Sequence, residues 1–77
     1  MSLEDYVDNP LWPVLVETVH AMIMYSHHKA YTRDMIIQEH PEITPQELST
    51  KLSVPLGEGL VILNELHEEK SESKQKI

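Results

Sequence analysis

The apolar positions Trp12, Leu15, Val16, Val19, Met22 and Ile23 recur at three- and four-residue spacing, which places them on one stripe of an α-helix. Asn9-Pro10 supplies its start, because an Asn side chain accepts the free N–H groups of a first turn and a Pro at the first helical position already has a helical φ. Pro13 falls in that same first turn, where its missing donor costs little. The spacing predicts a first helix over about residues 10–27, with Ser26-His27-His28-Lys29 as a break. Thr32 then reads as the N-cap of a short second helix carrying Met35, Ile36 and Ile37 to His40, where Pro41 stops it. Thr44-Pro45-Gln46-Glu47 is a capping box with Pro at its first position, so a third helix starts there, turns Leu48 and Leu52 inward and ends at Ser53. After the Val54-Pro55-Leu56-Gly57 turn, a fourth helix over about 57–69 presents Leu60, Leu63 and Leu66 as one apolar edge. The expected fold class is all-α, with about four helices.

Residues 1–9 are acidic and polar apart from Leu3, Tyr6 and Val7, and read as an N-terminal arm; 10–69 form a single domain; 70–77 read as a polar, frayed C-terminal tail. Segments that mix charge and apolar residues as Glu4-Asp5-Tyr6-Val7-Asp8 does either dock on a basic groove or stay disordered. Hydrophobic residues at 40% and charged residues at 25% are globular proportions. A 77-residue chain buries only about 60–65% of the surface its unfolded form exposes, which leaves no room for a large enclosed active site. With no Phe, the core has to be mostly Leu, Ile, Val and Met. A net charge of −7 opposes approach to polyphosphate or to an anionic membrane. The absence of Cys removes disulfides, thiolate nucleophiles and zinc knuckles. No apolar run approaches the ~18–20 residues of a membrane span, and the acidic start is not followed by a signal-peptide core, so a cytoplasmic protein is expected.

The segment His40-Pro41-Glu42-Ile43-Thr44-Pro45-Gln46-Glu47-Leu48-Ser49-Thr50-Lys51-Leu52-Ser53-Val54-Pro55-Leu56-Gly57, followed by Leu63 and Leu66, resembles the helix-turn-helix core of MarR- and ArsR-type winged-helix regulators over roughly residues 33–69. The resemblance implies a helix-turn-helix core preceded by a longer N-terminal helix. Two departures matter. The remaining residues after the last helix are too few and too polar for the β-hairpin wing, so a wingless core is expected. Residues 57–69, in the place of the DNA-reading helix, hold Glu58, Glu65, Glu68 and Glu69 with no Lys or Arg, and offer Gly57, Gly59, Val61 and Ile62 where base-reading side chains would stand. That chemistry predicts protein binding in place of DNA binding. In size, acidity and fold the chain is also similar to the small acidic accessory subunits of crenarchaeal replication and transcription enzymes, such as those riding on a B-family DNA polymerase or an RNA polymerase. That second resemblance implies an archaeal accessory subunit with a larger protein partner such as a polymerase subunit.

The expected function is therefore that of a non-catalytic accessory or adaptor subunit of a replication or transcription complex. Val61 and Ile62 lie between the inward leucines, which predicts an exposed ridge of Leu60, Val61 and Ile62 rimmed by Glu58 and Glu65, with Trp12 as a second anchor; coverage of the ridge by the first helix is the alternative. Leu11, Val14, Met24 and Tyr25 flank the first helix's main stripe, and N-terminal helices of the regulators it resembles form dimer interfaces, which implies a homodimer. The competing class is a dimeric DNA-binding regulator, with Arg33 and Lys51 as candidate phosphate contacts and Asn64 near bases. His20, Met24 and His28 follow at four-residue steps, with His27 adjoining, but no carboxylate or thiolate joins them at ligand spacing, so no metal or cofactor is expected. No nucleophile–base pairing and no Gly-rich phosphate loop is present, and an enzyme is not expected.

Overall fold

The computed structural model describes the backbone of residues 3–75 and the side chains of residues 3–70. Among the described residues there are five helices and no strand: α1 (Leu3–Val7), α2 (Trp12–His20), α3 (residues 25–39), α4 (Pro45–Leu52) and α5 (Leu56–Gln75). The all-α class read from the sequence is the class observed.

The organising element is α5. Every residue from Glu58 through Leu63 is buried, and a helix that is buried on all sides belongs inside a fold rather than at its surface. The first four helices all pack against it. Val19 of α2, Tyr25 and Ile36 of α3 and Leu48 of α4 close around Val61, Ile62, Leu63 and Leu66, with Leu3, Trp12 and Leu52 packed against that cluster. Burying one such aliphatic side chain is worth about 1.5–3 kcal/mol, so the run on α5 alone rivals the net stability of a domain this size, about 4–12 kcal/mol. Two glycines allow the close approach. A Cβ at Gly57 would stand 2.8 Å from Leu15 Cδ1 of α2, and one at Gly59 would stand 3.0 Å from the Pro45 carbonyl oxygen of α4.

The ridge expected on this helix is therefore absent. Leu60, Val61 and Ile62 are core residues at 3%, 0% and 0% exposure, because four consecutive apolar residues point in all directions round a helix and α5 has neighbours in all of them. The helix also begins at Leu56 and reaches Gln75, beyond the expected end at 69, so the frayed tail is helical as far as its backbone is described; Lys76 and Ile77 lie outside the described residues.

The N-terminal arm is likewise an element. Leu3, Tyr6 and Val7, at helical spacing, are half-buried on α1, which packs on α5. The expected start at Asn9-Pro10 is two residues early: α2 begins at Trp12 with Leu11 as an N-cap that makes no side-chain bond and with Pro13 in the first turn, and the Asn9 side-chain oxygen accepts the Leu11 N–H at 2.8 Å in the turn before it. The first helix does not run to 27. The chain turns at residues 21–24, where Met22 and Tyr25 N–H groups bond three residues back, to Val19 and Met22 carbonyls. A straight helix over 10–27 would be about 27 Å long and would carry Tyr25, Lys29 and Ile36 past α5. The elbow turns α3 back along it, and Met22 and Ile23, expected inward, face solvent.

The expected break at residues 26–29 is inside α3, and Thr32 is a buried mid-helix residue, not an N-cap. Its hydroxyl donates to the His28 carbonyl at 2.7 Å, and the next turn, Thr32–Ile36, widens to π geometry, with the Ile37 N–H reaching back five residues to the Thr32 carbonyl. The helix ends at Glu39, before Pro41, as the sequence indicates. α4 follows the sequence closely: the Thr44 hydroxyl accepts the Glu47 N–H at 3.1 Å, and a Glu47 carboxylate oxygen accepts the Thr44 N–H at 2.9 Å. At its far end Ser53 takes a left-handed conformation, φ 56 and ψ 45, and the Val54 N–H bonds the Ser49 carbonyl at 3.0 Å, the arrangement that closes a helix C-terminus.

Candidate interaction faces and a buried acid seam

Glu58 and Glu65 stand two turns apart on the side of α5 that meets α3 and the elbow. Glu58 is 1% exposed. One carboxylate oxygen, Oε2, accepts from His28 Nδ1, and the other, Oε1, is buried with no hydrogen-bond partner among the described residues. Its place in the first turn of α5 gives the charge a second support, since the free N–H groups there carry the positive end of the helix dipole.

Glu65 gathers three donors. The Tyr25 hydroxyl donates to Oε1, Lys29 Nζ donates to the same oxygen at 3.2 Å, and His20 Nε2 bonds Oε2 at 2.6 Å. Lys29 continues to Glu69, and the His20 and Tyr25 rings lie 5.1 Å apart at 48°. Burial pushes the Glu65 carboxyl up, but the hydrogen bonds from Tyr25, His20 and Lys29 outweigh it and hold the group below its ordinary 4.5. Burial, and then the Glu65 carboxylate, push the Tyr25 phenol far above its ordinary value. For Lys29 burial lowers the value, but the bonds to Glu69 and Glu65 win and raise it above 10.5. A cleft of about 490 Å³ borders this cluster, lined by His20, Tyr25, Lys29, Glu65, Glu68 and Glu69. The groups at its base are engaged with one another, and the arrangement acts as a clamp. His20 reaches Glu65 from the end of α2, and Tyr25 reaches it from the start of α3, so both arms of the elbow are tied to one carboxylate.

The residues expected to form a partner face thus divide. Leu60, Val61, Ile62 and Glu58 are enclosed, Glu65 is the centre of the clamp, and Trp12 is half-buried against the core. Arg33 is paired with the neighbouring Asp34 at 2.9 Å, which raises the arginine and lowers the aspartate. Lys51 is exposed in a groove whose other charged lining includes Glu39, Glu42 and Glu47, and Asn64 donates to Glu68 at 3.1 Å. Neither cation faces an open basic surface. His20, Met24 and His28 do not share a face, because the elbow separates the first from the others; His20 turns to Glu65, His28 to Glu58 and Met24 to solvent. Among the described residues no three His, Asp or Glu side chains converge as a metal-ligand set.

Two apolar faces stand open. At the start of α2, its N-cap Leu11 and first-turn Val14 are 70% and 60% exposed, with Asp8 and Glu17, both exposed, three residues before and after them. At the elbow and along the outer side of α3 are Met22, Ile23, Met24, Tyr31 and Met35, of which Ile23 is 91% exposed. Of the four residues expected to form a homodimer surface, Leu11, Val14 and Met24 are exposed, the elbow parts Met24 from the other two, and Tyr25 is buried against Glu65; Ile23, Tyr31 and Met35 carry no such expectation from the sequence. Among the described residues no helix is long and apolar enough to cross a membrane. The fold and these surfaces define an all-helical protein, built round a central helix with open apolar faces. No protein-family model, no curated protein and no solved structure matches the chain.

Proposed function

We propose that this protein is a non-catalytic accessory subunit that docks on a larger cytoplasmic protein, in the replication or transcription setting that its resemblance to helix-turn-helix proteins implies. The observation that carries the reading is the outer face of α2, where Leu11 and Val14 stand exposed between Asp8 and Glu17. An apolar centre with a charged rim is the composition of a protein interface, and here the rim asks for a partner edged with Lys or Arg. Enclosure of Glu58 to Leu63 supports a protein ligand over DNA, since those are the turns a helix-turn-helix reader lays in the major groove.

The test is capture from nuclease-treated lysate of the native host, comparing the wild-type chain with Leu11→Lys/Val14→Lys. Both side chains are exposed, so far-ultraviolet circular dichroism should not change. A protein retained in stoichiometric amount by the wild type at about 0.3 M salt, where exposed ion pairs are largely screened, and lost by the variant, supports the reading. Equal retention by both chains removes α2 as the docking face. No retained protein, together with a DNA probe shifted only at low salt, moves the function to a DNA-binding regulator.

A further inference from the structure

A groove of about 380 Å³ lies between the second half of α3 and α5 beyond its buried run. Arg33, Ile37 and Pro41 follow at four-residue steps along its α3 side, Pro41 just past the helix end, and Leu66 and Lys70 follow at the same step along its α5 side. Leu66 is buried and Ile37 half-buried, which makes the floor apolar, while Arg33 and Lys70 are exposed. The turn Thr32–Ile36 that widens to π geometry carries the Arg33 end of this groove, and such turns are frequent at functional sites.

Charge sets the groove apart from the rest of the molecule. The chain has six Lys and Arg against 13 acidic residues, and of the four cations whose side chains are described only Lys51 stands elsewhere. Arg33 and Lys70 line the groove, and Lys29 bonds Glu69, the one carboxylate in the lining. Lys70 makes no ion pair among the described residues, and the tie of Arg33 to Asp34 is an exposed pair of the kind worth little in water, so it can be exchanged for another carboxylate. Two cations beside Glu69 match one or two carboxylates, whereas a run of phosphates would be repelled. Gln38 also lines the groove, and its side chain makes no hydrogen bond among the described residues. A free amide offers both donor and acceptor to a peptide backbone and nothing to a hydrocarbon chain.

We infer that this groove binds a short acidic segment of a partner protein, with an apolar side chain laid on Ile37 and Leu66 and its neighbouring carboxylates met by Arg33 and Lys70. The planar guanidinium of Arg33 suits a carboxylate in two-point contact, and the flexible Lys70 follows a second one. The site lies apart from the α2 face of the proposed function, and either can fail alone.

The experiment is a nitrogen-15 NMR titration with capped peptides. The probe Glu-Leu-Gln-Leu-Asp should shift the amide signals of Ile37, Gln38 and Leu66 to Lys70 and saturate at or below about 1 mM. Gln-Leu-Gln-Leu-Asn, Lys-Leu-Gln-Leu-Lys and Glu-Ser-Gln-Ser-Asp should each bind more weakly, the first two for want of carboxylates and the last for want of an apolar anchor. Arg33→Gln/Lys70→Gln, exposed changes that leave helicity unaltered, should weaken the acidic peptide about tenfold, at up to ~1 kcal/mol for each exposed pair. Leu11→Lys/Val14→Lys should bind it as the wild type does, which separates this groove from the α2 reading. Absence of shifts at these amides overturns the inference, as does equal binding of the neutral or basic peptide, or an affinity unchanged by Arg33→Gln/Lys70→Gln. Tighter binding of decanoate at the same amides would make the occupant a small amphiphilic acid, and tighter binding of a short oligothymidylate would make it nucleic acid; either result overturns the inference.

Discussion

Replacing His28 with Ala strips Glu58 of the one hydrogen-bond partner it has among the described residues and leaves a carboxylate at 1% exposure. Removing the partner of a buried carboxylate costs about 3–5 kcal/mol where the group stays ionised, because its charge is then neither solvated nor paired. The N-terminus of α5 offsets part of this, about 1 kcal/mol in a first-turn position, which leaves an expected loss of about 2–4 kcal/mol. Against a total of about 4–12 kcal/mol for 77 residues, that is a large fraction of the stability. Removing both groups should cost far less than removing one. His28→Leu/Glu58→Met fills similar volume without charge, and such replacements are commonly neutral or stabilising by about 1–4 kcal/mol relative to the pair. Urea unfolding followed by circular dichroism reads the difference, because a slope of about 1 kcal/mol/M turns the His28→Ala loss into a midpoint shift of about 2–4 M. The double variant should recover most of that shift. A His28→Ala midpoint within about 0.5 M of wild type, or a double variant less stable than His28→Ala alone, would refute the view that the pair is held by mutual need in a dry site.

Two further perturbations test the packing and the clamp. Gly59→Ala sets a Cβ 3.0 Å from the Pro45 carbonyl, backbone held by a capped helix, so overpacking of about 1–3 kcal/mol should exceed the ~1 kcal/mol gain in helix propensity and lower the melting temperature by several degrees. Gly57→Ala meets only the end of the half-buried Leu15 side chain, which can turn away, and should be neutral or slightly stabilising; the reverse order would show that α2, not α4, is the tighter neighbour of α5. The Glu65 carboxyl is held below its ordinary 4.5, so the stability it contributes is complete above that value and is lost as the pH falls through its lowered folded-state value. Glu65→Gln should therefore flatten the acid limb of a stability–pH curve, and an unaltered limb would place the acid sensitivity elsewhere, for example at Glu47 or Asp34, which are also lowered.

What could be read in the sequence is what neighbouring residues decide among themselves. The capping box at Thr44 and Glu47 and the stop before Pro41 are local chemistry, and both stand where their residues place them. The elbow at 21–24 carries no Pro or Gly, and the periodicity of Trp12 to Ile23 passes over it without interruption; what holds its two arms, the bonds of His20 and Tyr25 to Glu65 and the packing of Val19, Tyr25 and Ile36 on α5, comes from residues far along the chain. The misplaced ridge has another origin. On a one-sided helix two of Leu60, Val61, Ile62 and Leu63 must be exposed, whereas an unbroken apolar run is equally the mark of a helix enclosed all round. Leu3, Tyr6 and Val7 had the spacing of a helical face but were outweighed by the acidic residues around them. The pairing of Glu58 and Glu65 with α3 follows from their seven-residue interval only once α5 is known to lie at the centre.

The central position of α5 also sets an order in time. The helices before it meet mainly through it, and none of the four supplies the others with a core. A growing chain that has reached Pro55 therefore holds helix-forming segments whose apolar faces have nothing to cover them, and folding waits until Leu60 to Leu66 have been synthesised and released. A product ending short of Leu66 lacks the helix against which the others bury their apolar faces and should remain unfolded.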